Sequence, residues 1–282
     1  MKKVCIIGAG VMGISLAQVL LENNYLVLII DIDKLKLEKA KKSIIKEIGI
    51  REFLNKSKPK YSKDELLKMI TTSLTNEESV QCDIIIDCST ENVEVKKNIF
   101  RQIDKYTSSK NLILCNTSCI PISELGSFTT KPNRVIGTHF MNPVTSIDTV
   151  EVIKGYYTSD DTIDKTKQFI TSLGKKAILI NDAPGFVSNR ISHLLMNEAT
   201  LILQEGTATI EQIDDIFKNC FGHKMGPLET ADLIGLDTVV NSLDILYKNY
   251  GDMKFKCSTI LRKMVIAGLL GRKSGEGFYK YI

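Results

Sequence analysis

Histidine is scarce in this chain, three in 282 residues, and long hydrophobic runs are missing. The longest apolar stretches, such as "YLVLII" and "DIIIDC", fall far short of the ~20 residues that a membrane-spanning helix needs, so no membrane contact is expected. The chain enters a strand pattern almost at once, which leaves no room for a signal peptide, and a soluble cytoplasmic protein is expected. Seven cysteines (5, 82, 88, 115, 119, 220 and 257) are an odd number, and their only close pair has C-x-x-x-C spacing. That pattern argues for reduced thiols, with neither a disulfide framework nor a zinc site, and no metal is expected. Internal repeats and low-complexity segments are also lacking. What remains is ordinary globular material, 43% hydrophobic and 25% charged, long enough for one or two domains.

The net charge of +4 is unevenly placed. Residues 34–63 hold 10 lysines and 1 arginine against 3 glutamates, a local +8 that leaves −4 on the rest of the chain. A solvated lysine-rich helix face explains such a cluster, and so does a polyphosphate ligand. Nucleic acid is not expected, because the stretch has only Phe53 and Tyr61 as aromatics and fits no nucleic-acid-binding motif.

Up to about residue 183, short apolar runs alternate with helical patterns. "KKVCIIGAG", "YLVLIID", "CDIIIDCS", "NLILCNTS" and "RVIGTHF" read as buried strands of parallel β-α-β units, with "VEVIKG" and "AILIND" as further strands of the same sheet. Between the second and third runs lies an insertion, 33–70, in which Leu35, Leu37, Ala40, Ile44, Ile45 and Ile48 keep helical spacing. It breaks near Lys58-Pro59, predicts a helical hairpin and carries the basic cluster. After "DAPGF" the pattern is helical almost throughout. The expected fold is thus α/β, a Rossmann-like doubly wound parallel sheet with a helical hairpin insertion (1–183), followed by an all-α domain (184–282). Over 187–204, Val187, Ile191, Leu194, Leu195, Leu201 and Ile202 form one apolar stripe. Met196, Ala199 and Leu203 form a second patch nearly opposite, which predicts two buried faces, one of them for a partner subunit.

"GAGVMG" places Gly8, Gly10 and Gly13 in G-x-G-x-x-G spacing directly after a strand pattern and at the start of a helical one, with Asp31 ending the second strand. Gly8 permits a tight turn, Gly10 lets backbone approach a pyrophosphate, and Gly13 allows close helix packing at an anion-binding helix N-terminus. Asp31 suits the adenosine ribose hydroxyls and repels a 2′-phosphate, so NAD is favoured over NADP, with Lys34 and Lys36 near enough to soften the preference.

Nicotinamide chemistry gives meaning to His139 in "VIGTHFMNP". Oxidising an alcohol removes a hydride and a hydroxyl proton together, and a base of near-neutral pKa at the carboxyl end of a strand is suited to take that proton. The competing reading is a half-buried histidine whose second nitrogen meets a backbone carbonyl. Glu151 is the nearest candidate to hold and stabilise the imidazole. His193 falls on the polar side of its helix and reads as solvent-exposed, His223 as a loop residue. Cys119 reads as structural, with a cleft thiol as the alternative.

Taken together, "GAGVMG", "EVKKNIF", "NTSCI", "GTHFMNP", "VEVIKG", "DAPGFVSNRI", "MGPLETADLIGLD" and "GRKSGEGFYKY" resemble the short-form L-3-hydroxyacyl-CoA dehydrogenases, and within them the bacterial 3-hydroxybutyryl-CoA dehydrogenases, over the whole chain. The resemblance implies that His139 is the catalytic base, Glu151 its orienting partner, and Ser118 and Asn189 hydrogen-bonding partners of substrate oxygen. It implies that Met12, Asp31, Glu91, Lys96, Asn116 and Asn142 line the NAD site with the glycines, that the hairpin holds CoA, and that the protein is a homodimer through its helical domain. Arg51, Lys56 and Lys58 are the choices for the CoA phosphates. The implied reaction interconverts (S)-3-hydroxyacyl-CoA, 3-hydroxybutyryl-CoA above all, and its 3-ketoacyl-CoA. A dehydrogenase of a small free hydroxy acid such as L-gulonate is the alternative, and a non-catalytic NAD(H)-binding structural or sensing protein is a third reading. Met141 with "VTSIDT", the segment "DCSTEN", and Cys119 in place of a second serine depart from the family pattern.

Overall fold

The apolar runs become the strands of one eight-stranded sheet in the computed structural model, which describes residues 2–54 and 61–281. The strands are β1 (Lys3–Ile7), β2 (Leu26–Ile30), β3 (Ile70–Ser73), β4 (Ile84–Asp87), β5 (Leu112–Cys115), β6 (Val135–Phe140), β7 (Thr149–Lys154) and β8 (Lys176–Asn181), in the order β3-β2-β1-β4-β5-β6-β7-β8. From β1 to β6 all neighbours are parallel, with the helices α1 (Val11–Glu22), α2 (Lys34–Leu54), α3 (Lys63–Met69), α4 (Val93–Tyr106) and α5 (Ile122–Gly126) lying in the connections. The link from β6 to β7 is only residues 141–148, too short for the crossover of about a dozen residues that parallel pairing requires, so β7 turns back antiparallel to β6. After α6 (Asp160–Ser172), β8 closes the edge parallel to β7.

The core of this unit, Met1–Asp182, packs Val4, Ile6, Ile29, Ile86, Leu114 and Ile136 of the sheet against Leu16 and Leu20 of α1, Ile44 and Ile48 of α2 and Phe169 of α6. Strand β3 is a finding the hydropathy pattern did not announce, since "ITTS" alternates weakly and lies at the sheet edge. The insertion is helical as its spacing predicts, with Leu37, Ala40, Ile44 and Ile48 buried, but Leu35 is exposed. Its predicted break at Lys58-Pro59, and with it Lys56, lies outside the described residues. The turn 141–148 is pinned from within by Lys175, whose Nζ donates to the carbonyls of Val144 (2.6 Å) and Ile147 (2.7 Å).

The second unit, Ala183–Ile282, is helical: α7 (Ser188–Gln204), α8 (Ile210–Phe221), α9 (Pro227–Ile234), α10 (Leu236–Tyr250) and α11 (Thr259–Ile266). Its core gathers Met196, Ala199, Leu228, Leu236, Val239, Leu243 and Leu261. The buried face of α7 is not the wide apolar stripe. His193, Met196, Asn197, Ala199 and Thr200 are buried, whereas Val187 and Ile191 are 50% and 63% exposed. Polar residues occupy the inner face because each is satisfied there: Asn197 bonds the carbonyl of Lys256 (3.1 Å) and the N–H of Ser258 (2.9 Å), and the Thr200 hydroxyl meets that of Ser258 (2.6 Å). Two buried carboxylates fasten the end of the chain. Asp232 accepts from the N–H groups of Phe278 and Tyr279 and from the Tyr281 hydroxyl, and Asp214 accepts from the Tyr279 hydroxyl. Among the described residues no helix is long and apolar enough to cross a membrane, and no disulfide is formed.

Candidate active site

The chain reverses its direction of travel across the sheet between β1 and β4, and the turns after these two strands meet there. Gly8 sits at φ +109°, and a Cβ on it would lie 2.5 Å from the Cys88 carbonyl oxygen, so only glycine fits. A Cβ on Gly13 would lie 2.0 Å from the Gly8 carbonyl oxygen, which is how this glycine lets α1 approach the turn. Gly10 faces open space, with nothing within 4 Å of its would-be Cβ, as a backbone approached by a pyrophosphate requires. A cavity of about 1000 Å³ runs from Gly8 and Gly10 past Met12 to Asp31, Ile32 and Lys36. The residues present therefore fit a dinucleotide. Asp31 Oδ2 accepts from the Ala9 N–H (2.9 Å) and Oδ1 from the Asp33 N–H (3.0 Å), so the turn itself orients the carboxylate expected at the ribose.

Lys96 is placed differently from expectation. It is wholly buried, its Nζ 2.6 Å from Asp87 Oδ2, with the Ser89 carbonyl at 3.4 Å. Burial works against the ammonium, but Asp87 and then Glu91 outweigh it and hold its pKa above the ordinary lysine value. In this position Lys96 supports the 87–89 turn from beneath and presents no surface to the cavity. Burial and the Asp87 charge push the neighbouring Cys88 thiol up to about 12, which leaves it inert.

His139 and Glu151 are directly opposite residues of β6 and β7. Cross-strand partners share one face, and Nδ1 lies 2.8 Å from Glu151 Oε2, with both side chains buried. A carboxylate only accepts, so Nδ1 carries the proton and Nε2 is left as the acceptor. Nε2 lies 3.3 Å from the Ser118 hydroxyl, in the turn after β5. Asn116 sits at the same edge, its Oδ1 accepting from the Phe140 N–H (3.2 Å) and joining the ends of β5 and β6. Asn142 follows β6 and is exposed. Serine, histidine and carboxylate in this order also serve serine hydrolases, which need N–H donors beside the serine for an oxyanion. Here the N–H groups of Ser118 and Cys119 both point at Glu91 Oε1, at 3.0 and 2.9 Å. The array is thus built for proton transfer to and from a hydroxyl, with Ser118 as a hydrogen-bonding group.

The backbone-bonded histidine is His193, not His139. It is buried rather than exposed, and its Nδ1 donates to the Asn189 carbonyl one turn back (2.8 Å), a bond that makes an inward imidazole tolerable. Asn189 itself lies in the first turn of α7. His223 is exposed after α8, and Cys119 is buried. Arg51 is already engaged within the fold: its guanidinium bonds Glu22 (2.7 Å) and Gln18 of α1. Lys56 and Lys58 lie outside the described residues. Among the described residues, an open basic groove of about 700 Å³ lies between α2 and α3, lined by Lys41, Lys42, Lys46, Tyr61 and Lys63. Its signal in the sequence is the i, i+4 pair Lys42 and Lys46. Thr117 also went unnoticed, a buried residue within "NTSCI" whose hydroxyl donates to Glu91 (2.6 Å). No cluster of metal-ligating side chains occurs among the described residues.

Comparison with known proteins agrees with this geometry. Residues 3–183 match the model of the 3-hydroxyacyl-CoA dehydrogenase NAD binding domain, and residues 185–281 that of the 3-hydroxyacyl-CoA dehydrogenase C-terminal domain. A Deinococcus radiodurans protein named "probable 3-hydroxybutyryl-CoA dehydrogenase" is 41% identical over 276 residues, 98% of this chain and 99% of its own. The 3-hydroxybutyryl-CoA dehydrogenase of Clostridioides difficile is 36% identical over 280 residues, 99% of each chain. The crystal structure of (S)-3-hydroxybutyryl-CoA dehydrogenase from Ralstonia eutropha is 36% identical with a TM-score of 0.94, covering 100% of this chain and 99% of that one. A glycine cradle, a histidine paired with a carboxylate at the same edge of the sheet, and relatives matched from end to end agree: this chain belongs to the 3-hydroxyacyl-CoA dehydrogenase family, with NAD as its cofactor.

Proposed function

We propose that the protein interconverts (S)-3-hydroxybutyryl-CoA and acetoacetyl-CoA, with His139 as the general base. The observation that carries this reading is the Ser118–His139–Glu151 array, at the same carboxyl edge of the sheet as the Gly8 turn. In oxidation, His139 Nε2 takes the proton of the substrate hydroxyl while the C–H bond at the same carbon breaks and the ketone forms. Bound NAD⁺ supplies the acceptor for that hydride. Ser118 donates to the substrate oxygen and holds it within reach of the imidazole, and Glu151 stabilises the imidazolium. In reduction, the same imidazolium returns the proton to the forming alkoxide.

The α2–α3 groove supports a CoA thioester over a free hydroxy acid, since four lysines offer charge to the pyrophosphate and 3′-phosphate. Each exposed lysine is worth on the order of 1 kcal/mol or less and is screened by salt. NADH oxidation by acetoacetyl-CoA tests the whole reading. Turnover is expected, better with NADH than NADPH because Asp31 repels a 2′-phosphate. The KM for acetoacetyl-CoA is expected to rise with ionic strength and in Lys46→Gln, while that for NADH moves less. No turnover in a protein that binds NADH would remove the proposed reaction, and salt-independent KM values would return the groove to a solvated surface.

The apolar stripe of α7, with exposed Ile191 and half-buried Leu194, Leu195 and Leu201 beside Met253, lines a cavity of about 480 Å³. We propose that a second copy covers it. Light scattering at micromolar concentration is expected to read a dimer, and Ile191→Asp to shift it toward monomer; a monomeric unaltered protein would exclude the pairing.

A further inference from the structure

We propose that Tyr250 is a positioning residue that fixes the entry to α7, and with it Asn189. This rests on the reaction proposed above, with Asn189 as a hydrogen-bonding partner of substrate oxygen, but the geometry stands by itself within the second unit. The Tyr250 hydroxyl lies at the crossing of two bonds: it donates to the Pro184 carbonyl (3.2 Å) and accepts from Arg190 Nη1 (3.2 Å). The Arg190 guanidinium also stacks on the Tyr250 ring, 4.4 Å from its centroid, and that ring packs in turn on the fully buried Phe255, 5.1 Å between centroids. A guanidinium over an aromatic face is attracted by the ring quadrupole, the more so where water is excluded. The Arg190 N–H then bonds back to the Gly185 carbonyl (2.9 Å). Residues 184–190 are thus a closed loop with Tyr250 as its clasp, and Asn189 falls within it.

Two features of this loop call for a clasp. Gly185 and Phe186 are both left-handed, at φ +75° and +53°, a conformation that glycine adopts freely and phenylalanine does not. A strained residue of that kind persists only where its surroundings over-determine it. Phe186 is buried, and a Cβ on Gly185 would lie 2.6 Å from Leu246 Cδ2 of α10, so the loop is pressed against the helix that ends in Tyr250. The second feature is the start of α7. Val187, which opens it, has no polar side chain to cap the helix, and Arg190 places a cation in the first turn, where the helix dipole disfavours positive charge. The ring and hydroxyl of Tyr250 offset that opposition, and what the pairing achieves is a fixed first turn. Such fixity matters to chemistry, since a drift of 1 Å in a positioned group can cost about 10²-fold in rate.

Kinetics with acetoacetyl-CoA at saturating NADH decide the matter, for Tyr250→Leu, Tyr250→Phe, Asn189→Ala and the double variant, each assayed well below its Tm. Tyr250→Leu is expected to lower kcat/KM roughly 10- to 10²-fold and to leave the NADH Kd within about twofold, because the matched NAD binding domain ends at residue 183. Tyr250→Phe keeps the ring against Arg190 and is expected to recover most of the activity. Losses that act through one group do not add, so Tyr250→Leu in the Asn189→Ala background is expected to cost less than about twofold more. A merely structural role would multiply the two losses, and that result would overturn the proposal. Normal turnover in Asn189→Ala or in Tyr250→Leu would overturn it too, as would a loss of NADH affinity in step with activity. Amide exchange tests the clasp apart from the chemistry: Tyr250→Leu is expected to accelerate exchange of the Arg190 N–H. Were the unaltered protein inactive, the reaction would fall, and unaccelerated exchange in Tyr250→Leu would separately show that Tyr250 does not hold the loop.

Discussion

His139→Gln is expected to fold and to bind NADH as the unaltered protein does, while kcat falls roughly 10²- to 10⁴-fold, the range for losing a general acid or base. Glutamine fills the space and can bond Ser118 or Glu151, but it has no lone pair basic enough to take the hydroxyl proton. Glu151→Gln tests the partner. The amide removes the charge that stabilises the imidazolium, and its NH₂ can donate to Nδ1, which would move the proton to Nε2 and leave nothing there to accept. A loss of roughly 10²-fold or more is expected by this route, since a misplaced tautomer disables a base whose ring has not moved. Stopped-flow hydride transfer, with NADH binding followed by fluorescence, separates chemistry from affinity. His139→Gln with near-normal turnover would end its role as base, and a normal Glu151→Gln would reduce Glu151 to a strand residue.

Lys96→Met is expected to destabilise the first unit by about 3–5 kcal/mol, the cost of stranding one member of a buried ion pair. Both side chains of the pair are at 0% exposure, so Asp87 could not recover solvent without opening the turn. For a unit of this size the loss corresponds to a fall in Tm of roughly 6–20 °C. Adding Asp87→Asn is expected to recover part of it, because no charge is then left buried. The effect depends on pH with a definite sign. The pKa of Lys96 is raised on folding, so the stabilisation is fully present below the ordinary lysine value of 10.5 and is lost as pH rises through the folded-state pKa. The difference between variant and unaltered protein should therefore shrink in strongly alkaline solution. Thermal unfolding followed at neutral and alkaline pH checks both statements, and a Tm within 2 °C of the unaltered protein at neutral pH would count against the buried pair as a stabilising anchor.

Strands whose two faces are both covered were readable because nearly every position is apolar, as in "YLVLII" and "DIIIDC". Strand β3 was hidden by its length and two threonines, which a sheet edge tolerates. On α7 the pattern misled, because hydropathy cannot record that Asn197 and Thr200 find partners inside. Within the site, Gly8, Gly10 and Gly13 could be read directly, since backbone geometry admits no other residue at two of them. That His139 and Glu151 touch depends on strand register, and no local motif encodes the register of two strands joined by a turn. Charge counting located the basic hairpin but could not tell Arg51, drawn to Glu22 on α1, from Lys42 and Lys46, which face the groove. Lys96 was assigned by resemblance to the cofactor site, whereas the Asp87 charge draws it into the interior.

The turn between β6 and β7 separates two kinds of evolutionary freedom. Because pairing along the strands sets His139 opposite Glu151, the register of β6 and β7, and not the identity of the side chains in residues 141–148, decides whether base and carboxylate meet. Lys175 grips that turn by the carbonyls of Val144 and Ile147, groups every amino acid possesses, so side chains there can change without loosening the grip. Met141 and all but the last residue of "VTSIDT", one of the stretches that depart from the family pattern, fall in this segment. A lineage can thus rewrite these side chains by single substitutions while the proton-transferring pair is inherited intact.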